Sequence, residues 1–198
     1  FSSPKGKAFG RIVLGIAFIF LGIDQIKGGF TGFDSVIDLA GPVDSTFMVQ
    51  LGFLAIGLVL TAVLQSSHAT LMLALAALAG GQIELWQGIA IAIGANIGSS
   101  VTTAIVGWLG GNRSGQRLAL VHVLFNTLTG AVTFLLLSPL AWVAQTSMTV
   151  FGAGANTPLQ LAMFQTLFNV IGVLLFWPWQ KQLERGLCRV AAPGPVES

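Results

Sequence analysis

Long apolar runs without charged residues dominate the pattern of the chain. No Asp, Glu, Lys or Arg occurs between Asp44 and Glu84, between Glu84 and Arg113, or between Arg117 and Lys181. Uncharged apolar runs of roughly 18 residues or more are typical of membrane spans. The pattern therefore predicts an all-α integral membrane fold with four transmembrane helices, over residues 10–26, 85–108, 118–138 and 159–177.

The run over residues 47–79 is too long for one ordinary span and carries the polar segment LQSSHAT at 64–70. Basic residues cluster at 5–11, 113–117 and 181–189, and such clusters favour the cytoplasmic side. If all three face the cytoplasm, the run makes no net crossing. We therefore predict a re-entrant helical hairpin that turns near residues 65–68, with both ends of the chain cytoplasmic and the protein in the plasma (inner) membrane.

Composition supports a single membrane domain over residues 1–180. Charged residues make up 8% of the chain and the mean hydropathy is +0.84, whereas soluble domains carry about 25% charged residues. The basic residues flank apolar runs, so nucleic acid is not a predicted partner. We expect residues 181–198, which are basic and then contain prolines, to be disordered. Because the chain begins with Phe1 and not Met, we also expect it to be part of a longer protein.

The sequence contains no pattern typical of an enzyme. Its one cysteine, Cys188, forms no metal-binding or redox motif. We find no nucleophile–base constellation and no phosphate-cradling Gly-Lys-Thr motif, so the prediction is a protein that is not an enzyme and has no cofactor.

The segment LQSSHAT concentrates hydrogen-bonding side chains in apolar surroundings. Gln65, Ser66, Ser67, His68 and Thr70 supply an amide, three hydroxyls and an imidazole. If a helix starts near residue 67, its N–H groups and its positive dipole end can bind an anion together with the hydroxyls. The alternative is that these side chains hydrogen-bond neighbouring helices and only hold them together.

A second polar segment, GANIGSSVTT at 94–103, is predicted to break the helix over 85–108. Asn96, Ser99, Ser100 and Thr102 offer neutral oxygens, and unwound helices in transporters coordinate sodium with such groups. The alternative is a face of small residues that packs against another helix. Both roles are compatible.

These segments, in this order and spacing, resemble the sodium–phosphate cotransporter family (the type II family, with bacterial members). The resemblance is carried by TAVLQSSHATLMLALAA, GIAIAIGANIGSSVTTAIVGWLGG and RLALVHVLFNTLTG. It implies two repeats in inverted topology, with phosphate and sodium bound between two hairpins. The chain has one QSS element and looks like the C-terminal repeat, so the N-terminal repeat of the same protein would be its partner, with a homodimer also possible.

The resemblance assigns roles to particular residues. Gln65, Ser66 and Ser67 match the start of the family's Gln-Ser-Ser-Ser element, and Asn96, Ser99 and Ser100 match its second motif. His68 stands where a third serine is usual, and Gln165 stands where members often have histidine. The predicted substrate-binding residues are Gln65, Ser66, Ser67, His68, Asn96, Ser99 and Ser100. The predicted ligands for the coupling ion, sodium, are Gln65, Thr70, Asn96, Ser100 and Thr102.

The sequence thus predicts sodium-coupled transport of inorganic phosphate across a lipid bilayer, with this chain as one repeat. Two alternatives remain. The protein transports or exports another small anion, or it is a non-transporting membrane scaffold or regulatory subunit.

Overall fold

The computed structural model describes residues 4–33, 45–110 and 113–190, and every regular element in these ranges is helical. The helices are α1 (Pro4–Phe33), α2 (Phe47–Leu64), α3 (Ser67–Ala79), α4 (Leu85–Gly110), α5 (Arg113–Leu135), α6 (Leu137–Val150), α7 (Thr157–Phe176), the 3₁₀ turn Trp177–Trp179 and α8 (Gln180–Val190).

Helices α2 and α4 run parallel and in close contact along glycine residues. A Cβ atom on Gly94 would collide with the backbone of Leu54, and one on Gly57 would collide with the backbone of Ile91. A Cβ on Gly98 would lie 2.7 Å from the Leu58 carbonyl oxygen. Contacts advance in the same direction along both helices, which shows that the two are parallel. Small residues let helix backbones approach this closely in membrane proteins.

Helix α3 connects these two parallel helices by running antiparallel to both. Helix α5 is also antiparallel to α4, since Gly107 packs on Ala119 and Gly130 packs on Ile97. Helix α7 runs in the same direction as α4. The side chains that fill the centre of the bundle are fully buried and come from α4 and α7: Ile89, Ile93, Leu161, Phe164 and Phe168.

In the part of the chain that the structure describes, four helices are long and apolar enough to cross a membrane: Phe47–Leu64, Leu85–Gly110, Arg113–Leu135 and Thr157–Leu183. Large apolar side chains face outward along them, as on a protein whose solvent is lipid. The predicted helix over 10–26 lies within α1, which continues to Phe33. Residues 34–44 lie outside the described part of the chain, and the membrane crossing by α1 stays a prediction.

The predicted break in the helix over 85–108 is wrong, because α4 is helical without interruption from Leu85 to Gly110. Its serine and threonine hydroxyls donate to carbonyl oxygens three or four residues earlier in the same helix, for example Ser99 to Asn96 at 2.8 Å. Such bonds satisfy the hydroxyl without unwinding the backbone. Gly94 and Gly98 allow close contact with α2 and do not unwind α4.

Two segments outside the predicted transmembrane helices are helical. Helix α6 begins at Leu137 and contains Pro139 as its third residue, because proline is tolerated in the first helical turn, where its missing N–H has no intrahelical acceptor. Residues 181–190, predicted as the beginning of a disordered tail, belong to α8 (Gln180–Val190). Residues 191–198 lie outside the described part, so the prediction for them is untested.

Candidate functional site: the turn between α2 and α3

The predicted turn near residues 65–68 is present and consists of two residues between helices. Gln65 ends α2 in the left-handed conformation, with φ of 54° and ψ of 26°. Ser66 is extended and caps α3, since its Oγ accepts a hydrogen bond from the Ala69 backbone N–H at 3.2 Å. We call residues 65–68 the tip.

A buried pair of threonines holds the two helices together behind the tip. Thr61 Oγ1 on α2 donates to Thr70 Oγ1 on α3 at 2.8 Å, and both side chains are fully buried. Thr70 Oγ1 also lies 3.4 Å from the Ser66 carbonyl oxygen, which it can donate to. Thr70, predicted as a sodium ligand, therefore has a structural role in fixing the turn.

The polar side chains of the tip lie nearer the surface than the buried threonine pair. Gln65 and His68 are exposed, and Ser66 and Ser67 are half-buried. The first N–H groups of a helix have no intrahelical acceptor, and the N-terminal end carries a partial positive charge. No charged side chain occurs between Leu64 and Ala79, so α3 itself contributes to the tip only its N-terminal end and its neutral polar side chains.

In the second segment, one side chain reaches another helix. Asn96 on α4 and Gln165 on α7 exchange two amide hydrogen bonds, each of 3.1 Å. Asn96 Nδ2 also donates to the Ala92 carbonyl oxygen at 2.9 Å. Gln165 therefore positions the Asn96 amide.

The other side chains of this segment bond within α4. Ser100 is fully buried and donates to the Ile97 carbonyl oxygen at 2.6 Å. Thr102 donates to the Ser99 carbonyl oxygen at 2.9 Å. Since the proton of each hydroxyl points into the helix, its oxygen presents lone pairs away from the helix.

One cavity of about 530 Å³ joins the tip to this second segment. Its polar lining comes from Gln65, Thr102 and Thr103, and α5 closes it with Gly115 and Ala119. Thr102 lies eight residues before the end of α4, about 12 Å along the axis. The cavity therefore lies nearer the C-terminal end of α4, at Gly110, than its N-terminal end, at Leu85.

The predicted site residues thus fall into two groups. Gln65 and Thr102 share the cavity, with Ser66, Ser67 and His68 adjacent in sequence to Gln65. Asn96, Ser99 and Ser100 lie between two and six residues earlier than Thr102 on α4. Sequence reasoning missed the roles of Thr61 and Gln165, and the only signal was their polarity within apolar helices.

Among the described residues, no group of three or more His, Cys, Asp or Glu side chains could hold a metal ion. The metal-ligating atoms that this region offers are neutral oxygens such as those of Gln65 and Thr102. Such oxygens suit a hard monovalent cation better than a transition metal.

Comparisons with known proteins place the chain beside one protein family and one curated relative. The family model described as Na⁺/Pi-cotransporter matches residues 45–186. YqeW of Bacillus subtilis (strain 168), described as an uncharacterized protein, is 30% identical over 176 residues, which cover 87% of this chain and 54% of YqeW. The chain thus spans about half the length of this curated relative. No solved structure matched.

The family match includes the α2–α3 turn, all of α4 and the Asn96–Gln165 pair, and it extends over well more than half of the sequence. The chain belongs to the Na⁺/Pi-cotransporter family.

Proposed function

We propose that this chain forms one repeat of a sodium-coupled transporter of inorganic phosphate and that the tip is its phosphate contact. The observation that carries the proposal is that Ser66 caps the N-terminus of α3 in a chain that belongs to the Na⁺/Pi-cotransporter family. It places two serines at the N-terminal end of α3, beside the cavity that contains Gln65 and Thr102.

Hydrogen-bond direction separates anion contacts from cation contacts. Ser66 Oγ accepts from the Ala69 N–H, so its own O–H remains a donor for a phosphate oxygen. The Ser67 hydroxyl and the first N–H groups of α3 add further donors. His68 is exposed at the same end and can contact the anion from the rim.

Sodium requires oxygen lone pairs, and Thr102 offers them because its proton is already donated to Ser99. Gln65, which has an amide oxygen, lines the same cavity as Thr102. We therefore propose these two residues as the principal sodium contacts. Asn96, Ser99, Ser100 and Thr70 support the geometry through their bonds to the helices.

Coupling follows from charge. Sodium bound next to phosphate offsets the anion's charge and fills oxygens that would otherwise repel it. In transporters built of repeats, substrate binds between the repeats and one moves against the other. The facing surface would come from an N-terminal repeat of the same protein or from a second copy.

The test is uptake of labelled phosphate into membrane vesicles that contain the full-length protein, with a sodium or a potassium gradient. Hydrogen bonds to a charged group contribute about 1.5–3 kcal/mol, so Ser67→Ala should lower sodium-dependent uptake roughly tenfold or more. Ser138→Ala, at an exposed serine of α6, is the matched control. Wild-type uptake by both Ser66→Ala and Ser67→Ala, at matched expression, would refute the site.

His68 favours a second candidate, a transporter of a different small anion. An imidazole in place of a hydroxyl changes both the size and the donors of the rim. Competition of labelled phosphate uptake by sulfate, arsenate and small carboxylates distinguishes the two candidates, and His68→Ser should shift the preference toward phosphate if the histidine sets it. A scaffold without transport would show no sodium-dependent binding of any of these anions.

A further inference from the structure

A second cavity, of about 540 Å³, lies on the outside of the bundle between α5 and the C-terminal helices. One wall is a stripe of α5 at four-residue spacing, Leu124, Leu128 and Val132. The other wall runs from Leu175 on α7 to Gly186 on α8, a length of about 16 Å at 1.5 Å per residue. We call this the lateral groove.

The lateral groove is apolar and has a fixed base. Phe125 on α5 packs against Phe176 on α7 with ring centroids 4.9 Å apart, which pins the two helices together at this level. Among the described residues that line the groove, Gln182 has the only polar side chain apart from the Trp179 indole, and none is charged. Such a lining suits a hydrocarbon chain.

The far end of the groove reaches the membrane surface. Helix α7 has 20 residues, about 30 Å, which equals the hydrocarbon thickness of a bilayer. Trp177 and Trp179 follow at once, and both are more than half exposed. Tryptophan prefers the interface between lipid and water, so α8 begins at the level of the lipid headgroups.

Helix α8 carries positive charge next to the groove. Lys181 and Arg185 lie one turn apart and are exposed, and the sequence continues the spacing with Arg189. Residues 182, 183 and 186 of the same helix line the groove. At 100° per residue, the basic stripe therefore borders the apolar wall of the groove.

We propose that the lateral groove binds an anionic phospholipid, with an acyl chain between α5 and α7 and the phosphate on Lys181 and Arg185. The two parts of the site match the two parts of the ligand: an apolar slot between α5 and the junction of α7 with α8 for an acyl chain, and a basic stripe beside it on α8 for the headgroup. Basic pockets next to membrane helices bind anionic headgroups in this way. The site is separate from the tip and does not depend on transport.

The experiment titrates phosphatidylglycerol and phosphatidylcholine onto the purified full-length protein in detergent and counts bound lipid by native mass spectrometry. We expect the wild type to prefer phosphatidylglycerol. Lys181→Gln with Arg185→Gln should weaken phosphatidylglycerol binding roughly tenfold or more, since each basic residue contributes about fivefold, and should leave phosphatidylcholine unchanged. Lys5→Gln with Lys7→Gln removes the same charge from exposed positions of α1 and should have no effect.

A second pair of variants tests the slot. Leu128→Trp fills the lateral groove from a position that is 45% exposed and should weaken binding of both lipids. Leu135→Trp, at the end of the same helix and outside the residues that line the groove, should not. Equal binding of the two lipids by the wild type would overturn the proposal, as would equal losses in both charge variants. Unchanged binding by Leu128→Trp would show that the groove is covered by protein in the full-length transporter and would also overturn it.

Discussion

Three glycines set the distance between α2 and α4. At Gly57, Gly94 and Gly98 a Cβ atom would meet backbone atoms, which cannot rotate away. Overpacking of this kind costs typically about 1–3 kcal/mol. We therefore expect Gly94→Ala to lower the melting temperature of the full-length protein in detergent.

The matched control makes the same chemical change on an open surface. Gly52 lies on α2 with no atom near the position of its missing Cβ, and alanine is the better helix former by about 1 kcal/mol. Gly52→Ala should leave the melting temperature unchanged or raise it. Equal effects of the two substitutions would show that the glycine contact does not limit stability.

The pair Asn96–Gln165 supports a second prediction at this scale. Each amide is the long-range partner of the other, so Gln165→Leu and Asn96→Leu should each destabilise the protein. In the double variant the losses should not add. Coupling between hydrogen-bonded side chains in membrane bundles averages about 0.6 kcal/mol and reaches about 1.7. A double-mutant cycle on unfolding free energy measures it.

Asn169→Leu serves as control in that cycle, since the Asn169 amide is exposed and donates to the Gln165 carbonyl oxygen of its own helix at 2.7 Å. It should show no coupling to Asn96. Full additivity of Asn96→Leu and Gln165→Leu would mean that the amide pair is not maintained in the membrane.

At the residue scale, the sequence identified polar positions but not their partners. Gln65 and Ser66 could be predicted as a turn because polar residues interrupt an apolar run. That Asn96 bonds Gln165, 69 positions away, depends on how α4 and α7 pack. The partner of Thr61 could not be predicted either. Its hydroxyl bonds Thr70 at 2.8 Å only because α3 folds back against α2.

At the element scale, the turn between α2 and α3 stores conformational energy at Gln65. A left-handed backbone costs a non-glycine residue roughly 1–2 kcal/mol, and glycine adopts it freely. Gln65→Gly should raise the melting temperature and remove the amide from the cavity. Gln65→Ala also removes the amide but retains the strained conformation.

Both variants should lose sodium-dependent phosphate uptake, while only Gln65→Gly should gain stability. Purified full-length protein supplies the melting temperatures, and vesicles supply the uptake rates. Retained uptake in Gln65→Gly would assign Gln65 a purely conformational role and exclude it as a sodium contact.

Helix boundaries show where sequence reasoning fails for elements. Apolar runs predicted α4, α5 and α7 because length and hydropathy decide membrane helices. Glycine and proline were less informative, since each has two uses. Gly94 and Gly98 serve close packing and do not break α4. Pro139 lies in the first turn of α6, which begins at Leu137, and Pro178 lies in a 3₁₀ turn from which the chain continues into α8.

At the scale of the whole molecule, the re-entrant arrangement of α2 and α3 can be tested directly. Helix α3 has 13 residues, about 20 Å, which is short of the roughly 30 Å hydrocarbon core. If the pair enters and leaves on one side, then Ser45→Cys and Gly80→Cys should react with a membrane-impermeant maleimide from the same side. Both should be opposite in sidedness to Lys7→Cys and Lys181→Cys.

The labelling uses full-length protein with Cys188 replaced by alanine, in intact and in permeabilised cells. Reaction of Ser45→Cys and Gly80→Cys from opposite sides would show that the pair makes a net crossing. The basic clusters at the two ends of the chain would then face opposite sides of the membrane.

The class of the molecule was predictable in full, because the absence of charge over long runs leaves little choice of environment. The family was predictable from two motifs in order. The contact between α2 and α4 was not. The predicted hairpin followed by the helix over 85–108 already sets α2 and α4 in the same direction, but nothing in the sequence indicates that their backbones meet at Leu54, Ile91 and the glycines.

The parallel contact has a mechanical consequence. Backbone lies against backbone at three levels between α2 and α4, so shifting one helix along the other would push side chains into spaces that hold only a hydrogen atom. The α2 side of the tip is therefore fixed to α4. If the tip contacts phosphate as proposed, alternating access would require movement of the surface that faces the tip and not of the tip itself.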